Sequence, residues 1–256
     1  MIGIVIQTRM GSSRLPGKVL LKLDEKSVLD YVISQVKHCK LVNKVIIATT
    51  SLSDDDIIVQ NAKDSGVQYF RGHPTDVLDR YYQCAKEYGL SVIVRITSDC
   101  PLIDPEIVDQ AIRTFIQNKY DYISNNKPRT FPYGLDVEVF SFTALENAWK
   151  NAYLPSEREH VTSHIYKNPD KFQIHNIEFH DDFSKLRLTI DRENDFKLIQ
   201  AVVGKIKNRP ILINDILETY EKDPKLFEIN QDYVTDEGYL KSLREDEEFL
   251  HKKGTG

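Results

Sequence analysis

The stretch that decides the fold is Ile2–Lys18, which reads IGIVIQTRMGSSRLPGK. Its first five residues are apolar, and such a run predicts a buried strand of a parallel sheet. The remainder carries two glycines, two serines and three cations, at Arg9, Arg14 and Lys18. Glycines let backbone N–H groups approach phosphate oxygens, while hydroxyls and cations add donors and positive charge. The stretch therefore predicts a strand that opens into a phosphate-binding loop, with a solvated basic loop as the alternative.

The loop matches neither of two common phosphate-binding fingerprints. A Walker A loop needs Ser or Thr after its lysine, but Lys18 is followed by Val19. The glycine spacing also differs from the dinucleotide fingerprint Gly-x-Gly-x-x-Gly. We expect the nucleotide to be contacted by Gln7, Arg9, Gly11, Ser12, Ser13, Arg14 and Lys18.

Composition limits the classes of function. The chain has 256 residues, with 41% hydrophobic and 29% charged residues, which is typical of one globular enzyme domain. A net charge of −5 argues against nucleic acid as a partner. The apolar runs are far shorter than the roughly 20 residues that span a bilayer, so we expect neither membrane insertion nor a signal peptide.

Three widely spaced cysteines lack the paired spacing of a zinc site and indicate reduced thiols, which favours the cytoplasm. Cys100 adjoins an aspartate, but no neighbouring base supports a nucleophilic role.

Strands and helices alternate in the first half of the chain. Strands are predicted near 2–7, 44–50, 67–70 and 91–97. Helices are predicted after a Ser27–Asp30 capping box, after Ser53 with Asp56 at the third helical position, through Val77 to Ala85, and from an Asp104 cap with Pro105 in its first turn. This order predicts an α/β fold, with a mostly parallel sheet covered by helices on both faces.

The alternation is less regular after residue 120. A strand is predicted over Leu135 to Phe140, and further strands are predicted near 173–178 and 186–190. A helix is predicted near 238–251, in a charged segment. We therefore expect a catalytic domain over residues 1–222 and a C-terminal extension over 223–256.

Aspartates follow two of the predicted strands. Ligands of open parallel sheets bind at the carboxyl ends of the strands, so Asp99, which ends the strand near 91–97, should face the phosphate loop. It is interpreted as a metal ligand, with a turn aspartate as the alternative. Asp191 follows the run Leu186 to Ile190, and the residues alone fit a metal ligand and a helix N-cap equally.

Asp136 and Glu138 share one face of their predicted strand and are candidates for binding a second substrate, or for the solvated face of an edge strand. Ser156 and Glu159 fit a capping box. Arg158 could bind a substrate carboxylate or phosphate, and His160 could contact an acceptor hydroxyl or be a packed structural residue.

Arg71 and Arg80 also have two interpretations. They could contact the base, ribose or phosphate of a nucleotide, or brace Asp76 and Asp79 through ion pairs. The residues alone do not separate these possibilities.

The loop RMGSSRLPGK over Arg9–Lys18 resembles the signature of the sugar cytidylyltransferases that make CMP-Kdo and CMP-sialic acids. Within that superfamily, the sequence of this loop is most similar to that of the spore-coat polysaccharide biosynthesis protein F group. Further matching motifs are FRG at 70–72, DVLDRYY at 76–82, DCPLIDP at 99–105, GLDVEVF at 134–140, SEREHVT at 156–162 and LRLTID at 186–191. The resemblance covers about residues 1–205.

This resemblance implies a three-layer, Rossmann-like nucleotidyltransferase fold of the nucleotide-diphospho-sugar transferase (GT-A-like) type. It implies transfer of CMP from CTP to a sugar-type acceptor, favouring a keto-acid sugar, for surface polysaccharide or glycoconjugate synthesis. Mg²⁺ would be held by Asp99 and Asp191, with Arg9, Arg14, Lys18 and Asp99 as the catalytic set. The resemblance also implies that Asp136, Glu138, Arg158 and His160 bind the acceptor, and it allows a homodimer.

Other acceptors remain open at this point: a sugar phosphate, an alditol phosphate or a phosphonate. A glycosyltransferase of the same general fold and a non-catalytic nucleotide-binding protein are further alternatives. The triphosphate-type basic loop disfavours the former, and the full loop with both aspartates disfavours the latter.

Overall fold

The computed structural model describes residues 1–12, 14–233 and 236–254. The strands are β1 Ile2–Gln7, β2 Lys22–Leu23, β3 Lys26–Ser27, β4 Lys44–Thr50, β5 Gln68–Gly72, β6 Val92–Thr97, β7 Tyr122–Ser124, β8 Glu138–Ser141 and β9 Ile174–Asn176. The helices are α1 Val28–Val36, α2 Asp56–Asp64, α3 Val77–Glu87, α4 Pro105–Asn118, α5 Phe142–Asn151, α6 Pro155–Glu159, α7 Ser163–Tyr166, α8 Glu193–Lys205, α9 Ile213–Lys222 and α10 Glu237–Gly254. Short 3₁₀ turns occupy Lys18–Leu20, Ser53–Asp55 and Pro224–Asn230.

A seven-stranded sheet with the order β5-β4-β1-β6-β8-β7-β9 forms the centre of the molecule. Neighbouring strands are parallel except on either side of β8, which runs against β6 and β7. The chain leaves β1 toward β4 and β5 and then returns to place β6 on the other side of β1. This reversal creates a crevice at the carboxyl ends of β1 and β6, where open α/β sheets bind ligands.

Alternating residues of the strands pack on opposite faces of the sheet. Ile4 and Ile6 of β1 contact the core beneath α1, α2, α4, α8 and α9, whereas Val5 contacts the core beneath α3 and α5. Each fully buried aliphatic side chain of this kind contributes roughly 1.5–3 kcal/mol of hydrophobic stabilisation. The prediction of a three-layer, mostly parallel α/β fold is therefore confirmed.

Several local predictions are also confirmed. Ser27 and Asp30 form the capping box of α1, and Asp104 caps α4, whose first residue is Pro105. The predicted start of the second helix is wrong, because Ser53–Asp55 forms a 3₁₀ turn and Asp56 is the first α-helical residue.

Two predictions in the second half of the chain are corrected. The segment 186–190 is not a strand; it has only one isolated bridge, between Arg187 and Tyr133. The strand predicted over 135–140 begins at Glu138, so Asp136 precedes it. β8 lies between β6 and β7, so it is an internal strand and not an edge.

The segment after residue 222 packs against the rest of the chain. Phe227 is buried in the core, and the buried Asn230 donates to the backbone carbonyl of Arg187. Helix α10 lies against α6. In the part of the chain that the structure describes, no helix has both the length and the apolar character needed to cross a bilayer.

Candidate active site

A cavity of about 630 Å³ lies at the crevice between the carboxyl ends of β1 and β6. Gln7 and Thr97 are paired in register where these strands end, so the residues that follow both strands emerge side by side. The predicted nucleotide-contacting residues that line the cavity are Gln7, Arg9, Gly11, Ser12, Arg14, Lys18 and Arg80. The prediction for Ser13 falls outside the described residues.

Asp55 fixes the start of the loop that follows β1. Its carboxylate accepts hydrogen bonds from the Met10 backbone N–H, at 2.8 Å, and from Thr49 and Thr50. Burial opposes the charged carboxylate, but these donors outweigh it and lower the pKa of Asp55. At the far end of the loop Gly17 has φ 68°, a conformation that glycine adopts without strain. Both ends of the loop are thus held in place.

Lys18 joins the two strand-end aspartates. Its Nζ lies 2.8 Å from Asp99 Oδ2, 2.8 Å from Asp191 Oδ1 and 2.7 Å from the Ile190 carbonyl oxygen. Burial disfavours the ammonium, but the two carboxylates outweigh it and raise the pKa of Lys18. The two carboxylates that the sequence analysis interprets as ligands of one metal ion therefore lie close together. In this structure the cation between them is Lys18 Nζ.

Asp191 also contacts two guanidinium groups. Arg14 Nη2 lies 2.6 Å from Asp191 Oδ1, and Arg187 Nη2 lies 3.0 Å from Oδ2. Burial opposes the charge of this carboxylate, but Lys18 and Arg14 outweigh it and lower the pKa of Asp191 to about 2. Asp191 is therefore an anion at any physiological pH.

The helix-cap interpretation of Asp191 is not supported by the geometry. Arg192 is the N-cap residue of α8, and the Asp191 carboxylate contacts Lys18, Arg14 and Arg187. The Asp195 carboxylate, in the first turn of α8, accepts from the backbone N–H groups of Asp191 and Arg192, which precede the helix. The side chain of Asp191 is thereby left to face the cavity.

Arg80 lines the same cavity and forms no ion pair among the described residues. It is 2% exposed, its Nε has no hydrogen-bond partner, and no carboxylate of the described residues pairs with it. Burial, together with the neighbouring Arg9, lowers the pKa of Arg80. The alternative in which Arg80 braces Asp76 and Asp79 is not what the structure shows, since Asp76 pairs with Arg158 instead.

Thr8 provides a second unsatisfied group in this wall. Its Oγ1 is buried without a hydrogen-bond partner, and the residue lines the cavity beside Arg80. Buried polar groups normally have partners, so two such groups in one cavity wall indicate that a polar ligand belongs there.

Two predicted binding arginines lie elsewhere. Arg71 directs its guanidinium to the carbonyl oxygens of Thr50 and Leu52 and to Asp56. Arg158 holds Asp76 at the start of α3 and donates to the carbonyl oxygen of Trp149. The structure does not bring either side chain into the lining of the cavity.

A second cavity of about 320 Å³ adjoins the first. The two cavities share Arg14, Thr97, Asp99, His160, Asp191 and Gly238 in their walls. The cluster of Lys18, Asp99 and Asp191 therefore lies where the cavities meet. Such an arrangement can hold two substrates with their reacting atoms next to the same charged groups.

Asp136 lies in the wall of the second cavity, in a turn that requires glycine. Gly134 has φ 106°, and a Cβ at this position would lie 2.6 Å from the carbonyl carbon of Leu188. The Asp136 carboxylate forms a two-bond pair with Arg129. Burial raises the pKa of Asp136 and outweighs the effect of Arg129.

Glu138 lines the second cavity but already has partners for its carboxylate. It pairs with Arg95 and accepts hydrogen bonds from Tyr122 and Thr162. Burial opposes its charge, but Arg95 and the hydroxyls lower the pKa of Glu138. These contacts indicate that Glu138 holds β6 and β8 together. Because Glu138 is buried, the interpretation that it lies on a solvated face is wrong.

His160 lies in the walls of both cavities and contacts α10. Its Nε2 lies 3.0 Å from Ser242 Oγ, and Ser242 Oγ lies 2.8 Å from Glu159 Oε2. Because the hydroxyl has one proton and the carboxylate can only accept, His160 donates to Ser242. Burial and the nearby Arg95 lower the pKa of His160.

The capping box predicted for Ser156 and Glu159 is wrong. The carboxylate that accepts from the backbone N–H groups at the start of α6 is that of Glu157. Ser156 is bonded instead to Asp246 of α10, at 2.8 Å from its backbone nitrogen.

Sequence reasoning missed several lining residues. Arg129 and Lys127 line the second cavity and lie in the loop before Gly134. Two cations this close together in the sequence are the local pattern that indicates an anion-binding role. Helix α10 contributes its own residues to the first cavity: Glu237, Gly238, Leu240, Lys241 and Arg244. The sequence shows the helical spacing of these residues, but it does not show that α10 lies next to the loop after β1.

Comparison with known proteins identifies relatives along most of the chain. The family model described as cytidylyltransferase matches residues 3–233. An uncharacterized protein of Methanocaldococcus jannaschii is 40% identical over 246 residues, which are 95% of this chain and 98% of that protein. The spore coat polysaccharide biosynthesis protein SpsF of Bacillus subtilis is 32% identical over 230 residues, covering 86% of this chain and 94% of SpsF.

A solved structure agrees with these relatives. A cytidylyltransferase from Leptospira borgpetersenii superposes with a TM-score of 0.86 at 35% identity, covering 91% of this chain and 98% of the other. The match of the family model over most of the chain, together with these relatives, shows that the chain belongs to the cytidylyltransferase family.

Proposed function

We propose that this protein transfers CMP from CTP to a keto-acid sugar, with release of pyrophosphate, for surface polysaccharide or glycoconjugate synthesis. The observation that carries the proposal is the cluster of Lys18, Asp99 and Asp191 at the junction of two cavities. CTP would occupy the first cavity, against the basic loop, and the acceptor would occupy the second. The junction is where the α-phosphate and the acceptor hydroxyl would meet.

The reaction forms one bond and breaks one bond at the α-phosphorus. The acceptor oxygen attacks, the bond to the oxygen that bridges the α- and β-phosphates breaks, and pyrophosphate leaves with that electron pair. Arg9, Arg14 and Lys18 would stabilise the negative charge on the triphosphate and on the leaving group. Asp136, whose pKa burial raises, is the carboxylate of the second cavity best suited to accept the hydroxyl proton.

The residues at the junction fit Mg²⁺. Carboxylates of Asp99 and Asp191 reach one cation, Lys18 Nζ, at 2.8 Å each, and Mg²⁺ prefers one or two carboxylates with phosphate oxygens and water as further ligands. The described residues hold no group of three or more His, Cys, Asp or Glu side chains at metal-binding distance, so the nucleotide would complete the site. When bound, the ion would supply Lewis-acid polarisation of the phosphate oxygens.

An anionic acceptor is supported by the cations of the second cavity. Lys127 lies 4.5 Å from the centre of the Tyr166 ring, and no carboxylate among the described residues pairs with it. Arg129 and Arg95 lie in the same wall. Asp136 and Glu138 already pair with these two arginines, so Lys127 is the cation that a sugar carboxylate would satisfy, which favours a keto-acid sugar; a sugar phosphate, an alditol phosphate or a phosphonate would also satisfy it.

The remaining parts of the proposal concern organisation. Residues 1–222 would form the catalytic domain, and residues 223–256 would form a C-terminal extension. A cytoplasmic location is supported by the free thiols of Cys39, Cys84 and Cys100. The homodimer implied by resemblance is tested by light scattering of the purified protein.

The test is pyrophosphate release with Mg²⁺ and each of the four ribonucleoside triphosphates, against keto-acid sugars, sugar phosphates, alditol phosphates and phosphonates. We expect release with CTP and a keto-acid sugar, and loss of release when EDTA removes Mg²⁺. Release confined to a sugar phosphate would correct the acceptor but keep the reaction. Release of free nucleoside diphosphate from a nucleotide sugar would replace the proposal by glycosyl transfer.

Arg80→Met is expected to separate binding from stability. The variant removes a buried guanidinium that lacks a carboxylate partner in the described structure, so the free energy of unfolding should rise or stay unchanged. Affinity for CTP should fall about 10- to 100-fold, because a charge-assisted contact to the ligand is lost. Calorimetric titration and thermal unfolding without nucleotide measure the two effects.

The matched control is Arg71→Met, which removes a guanidinium outside the cavity lining. We expect it to retain CTP affinity. Equal losses of affinity in the two variants, or a large loss of stability in Arg80→Met, would assign Arg80 a structural role.

A further inference from the structure

One face of helix α10 forms a wall of the first cavity. Glu237, Leu240, Lys241 and Arg244 line it, and their spacing of i, i+3, i+4 and i+7 places them in one stripe along the helix. The loop after β1 lies in the same cavity lining. Cationic side chains therefore enter this space from two parts of the chain that are far apart in sequence.

A different face of α10 anchors the helix. Asp246 is buried and accepts from the backbone N–H and the hydroxyl of Ser156. Ser242, one turn earlier, is buried between His160 and Glu159. Because these two anchors lie four residues apart on the helix, they fix its rotation and hold the stripe toward the cavity.

Two of the three loop cations, Lys18 and Arg14, are compensated by acids. Lys18 contacts two carboxylates, and Arg14 contacts Asp191 at 2.6 Å and Glu237 at 3.2 Å. A triphosphate bound there would meet less positive charge than the loop sequence suggests. Arg9 and Arg80 line the cavity without an ion pair among the described residues, and cations from another wall would add to their charge in neutralising the phosphate chain.

Lys241 and Arg244 are cations of this kind. Lys241 pairs with Glu245 of its own helix at 3.4 Å, and both side chains are exposed, so the pair is weak and readily exchanged. Arg244 pairs with no carboxylate in the described parts of the chain and is exposed in the cavity wall. Both charges are available to a ligand.

We propose that Lys241 and Arg244 bind the phosphate chain of the nucleoside triphosphate, so that α10 is a second phosphate-binding element opposite the loop. This inference rests on the proposed function for the identity of the ligand. Neither residue lies within residues 3–233, the range that the family model matches. We assign these contacts to the β- and γ-phosphates, which leave as pyrophosphate; CMP retains only the α-phosphate.

The test compares the full chain with its double variant Lys241→Ala/Arg244→Ala by calorimetric titration of inorganic pyrophosphate, CTP and CMP. We expect affinity for pyrophosphate and CTP to fall about 10- to 100-fold, as for the loss of two charge-assisted contacts. CMP affinity should change less than about threefold, since one phosphate supplies fewer contacts. A higher salt concentration should reduce the difference in pyrophosphate affinity between the parent protein and the double variant, because salt screens the charges.

Two controls accompany the double variant. Lys253→Ala removes a cation of the same helix that lies near Tyr153 and Phe249, and it should bind pyrophosphate like the parent protein. Lys241→Arg/Arg244→Lys keeps both charges and should stay within about fivefold of the parent. Unchanged thermal unfolding in all variants would show that α10 remains in place.

Pyrophosphate affinity that is the same in the parent and the double variant, or absent in both, overturns the inference. An equal loss for pyrophosphate and CMP overturns it as well, because the effect would then not belong to the departing phosphates. The proposed function fails separately, if the parent protein releases no pyrophosphate from CTP with any acceptor. In that case selective loss of pyrophosphate binding would still support the role of α10.

Discussion

Lys18→Ala is expected to lower kcat/KM for CTP by about 10²- to 10³-fold, the range seen when one preorganised donor to a developing charge is removed. The ammonium lies 2.8 Å from both Asp99 and Asp191, so its loss leaves two carboxylates facing each other. Repulsion between them would also distort the junction at which we propose that the α-phosphate binds. Steady-state pyrophosphate release at saturating acceptor measures the change.

The same variant should also be less stable. The sequence alone predicts little effect of Lys18 on folding, but the structure shows a side chain 11% exposed that joins three acceptors. Arg14 and Arg187 still neutralise Asp191, so we expect a moderate loss of about 1–3 kcal/mol in the free energy of unfolding.

Lys22→Ala is the control for Lys18→Ala, because Lys22 is an exposed lysine in the nearby β2 strand. It should retain both activity and stability. If Lys18→Ala unfolds at lower temperature yet keeps kcat/KM within twofold at 25 °C, Lys18 is a structural cation and the phosphate-loop assignment is wrong.

Asp99→Asn should have the second-largest effect. The amide keeps the shape of the side chain and an oxygen for Lys18, but it removes the negative charge that would attract Mg²⁺. We expect kcat/KM to fall about 100-fold or more, with a rise of at least tenfold in the Mg²⁺ concentration for half-maximal rate. Titration of Mn²⁺ followed by electron paramagnetic resonance, with CTP present, reports ion binding without turnover.

Asp64→Asn is the matched control for Asp99→Asn, since Asp64 lies in α2 and accepts from Gln60 of the same helix. Its Mg²⁺ dependence should equal that of the parent protein. An unchanged Mn²⁺ affinity in Asp99→Asn would assign this aspartate to holding Lys18 instead of a metal ion.

The strands and caps of the first half were predictable because they depend on local chemistry. The apolar run of β1 and the caps at Ser27 and Asp104 are each decided within a few residues. The site at the ends of β1 and β6 was predictable for a related reason, since parallel strands bring their carboxyl ends to one edge.

The wrong predictions involve contacts distant in sequence. Asp191 fits an N-cap until Lys18, 173 residues away, is seen to bind its carboxylate. Ser156 fits a capping box until Asp246, 90 residues away, is seen to bind it. In both cases the local pattern is compatible with two hydrogen-bonding arrangements, and tertiary packing selects one.

Arg14 and Glu237 are 223 residues apart in the chain yet 3.2 Å apart in the folded protein. A nucleotide held between the loop and α10 would therefore act as a reversible cross-link across nearly the whole sequence. Local opening of α10 would then require release of the ligand, so bound CTP should slow hydrogen–deuterium exchange throughout Glu237–Gly254. The exchange rate of α10 would thus report whether nucleotide is bound, although this helix lies outside the chemical centre.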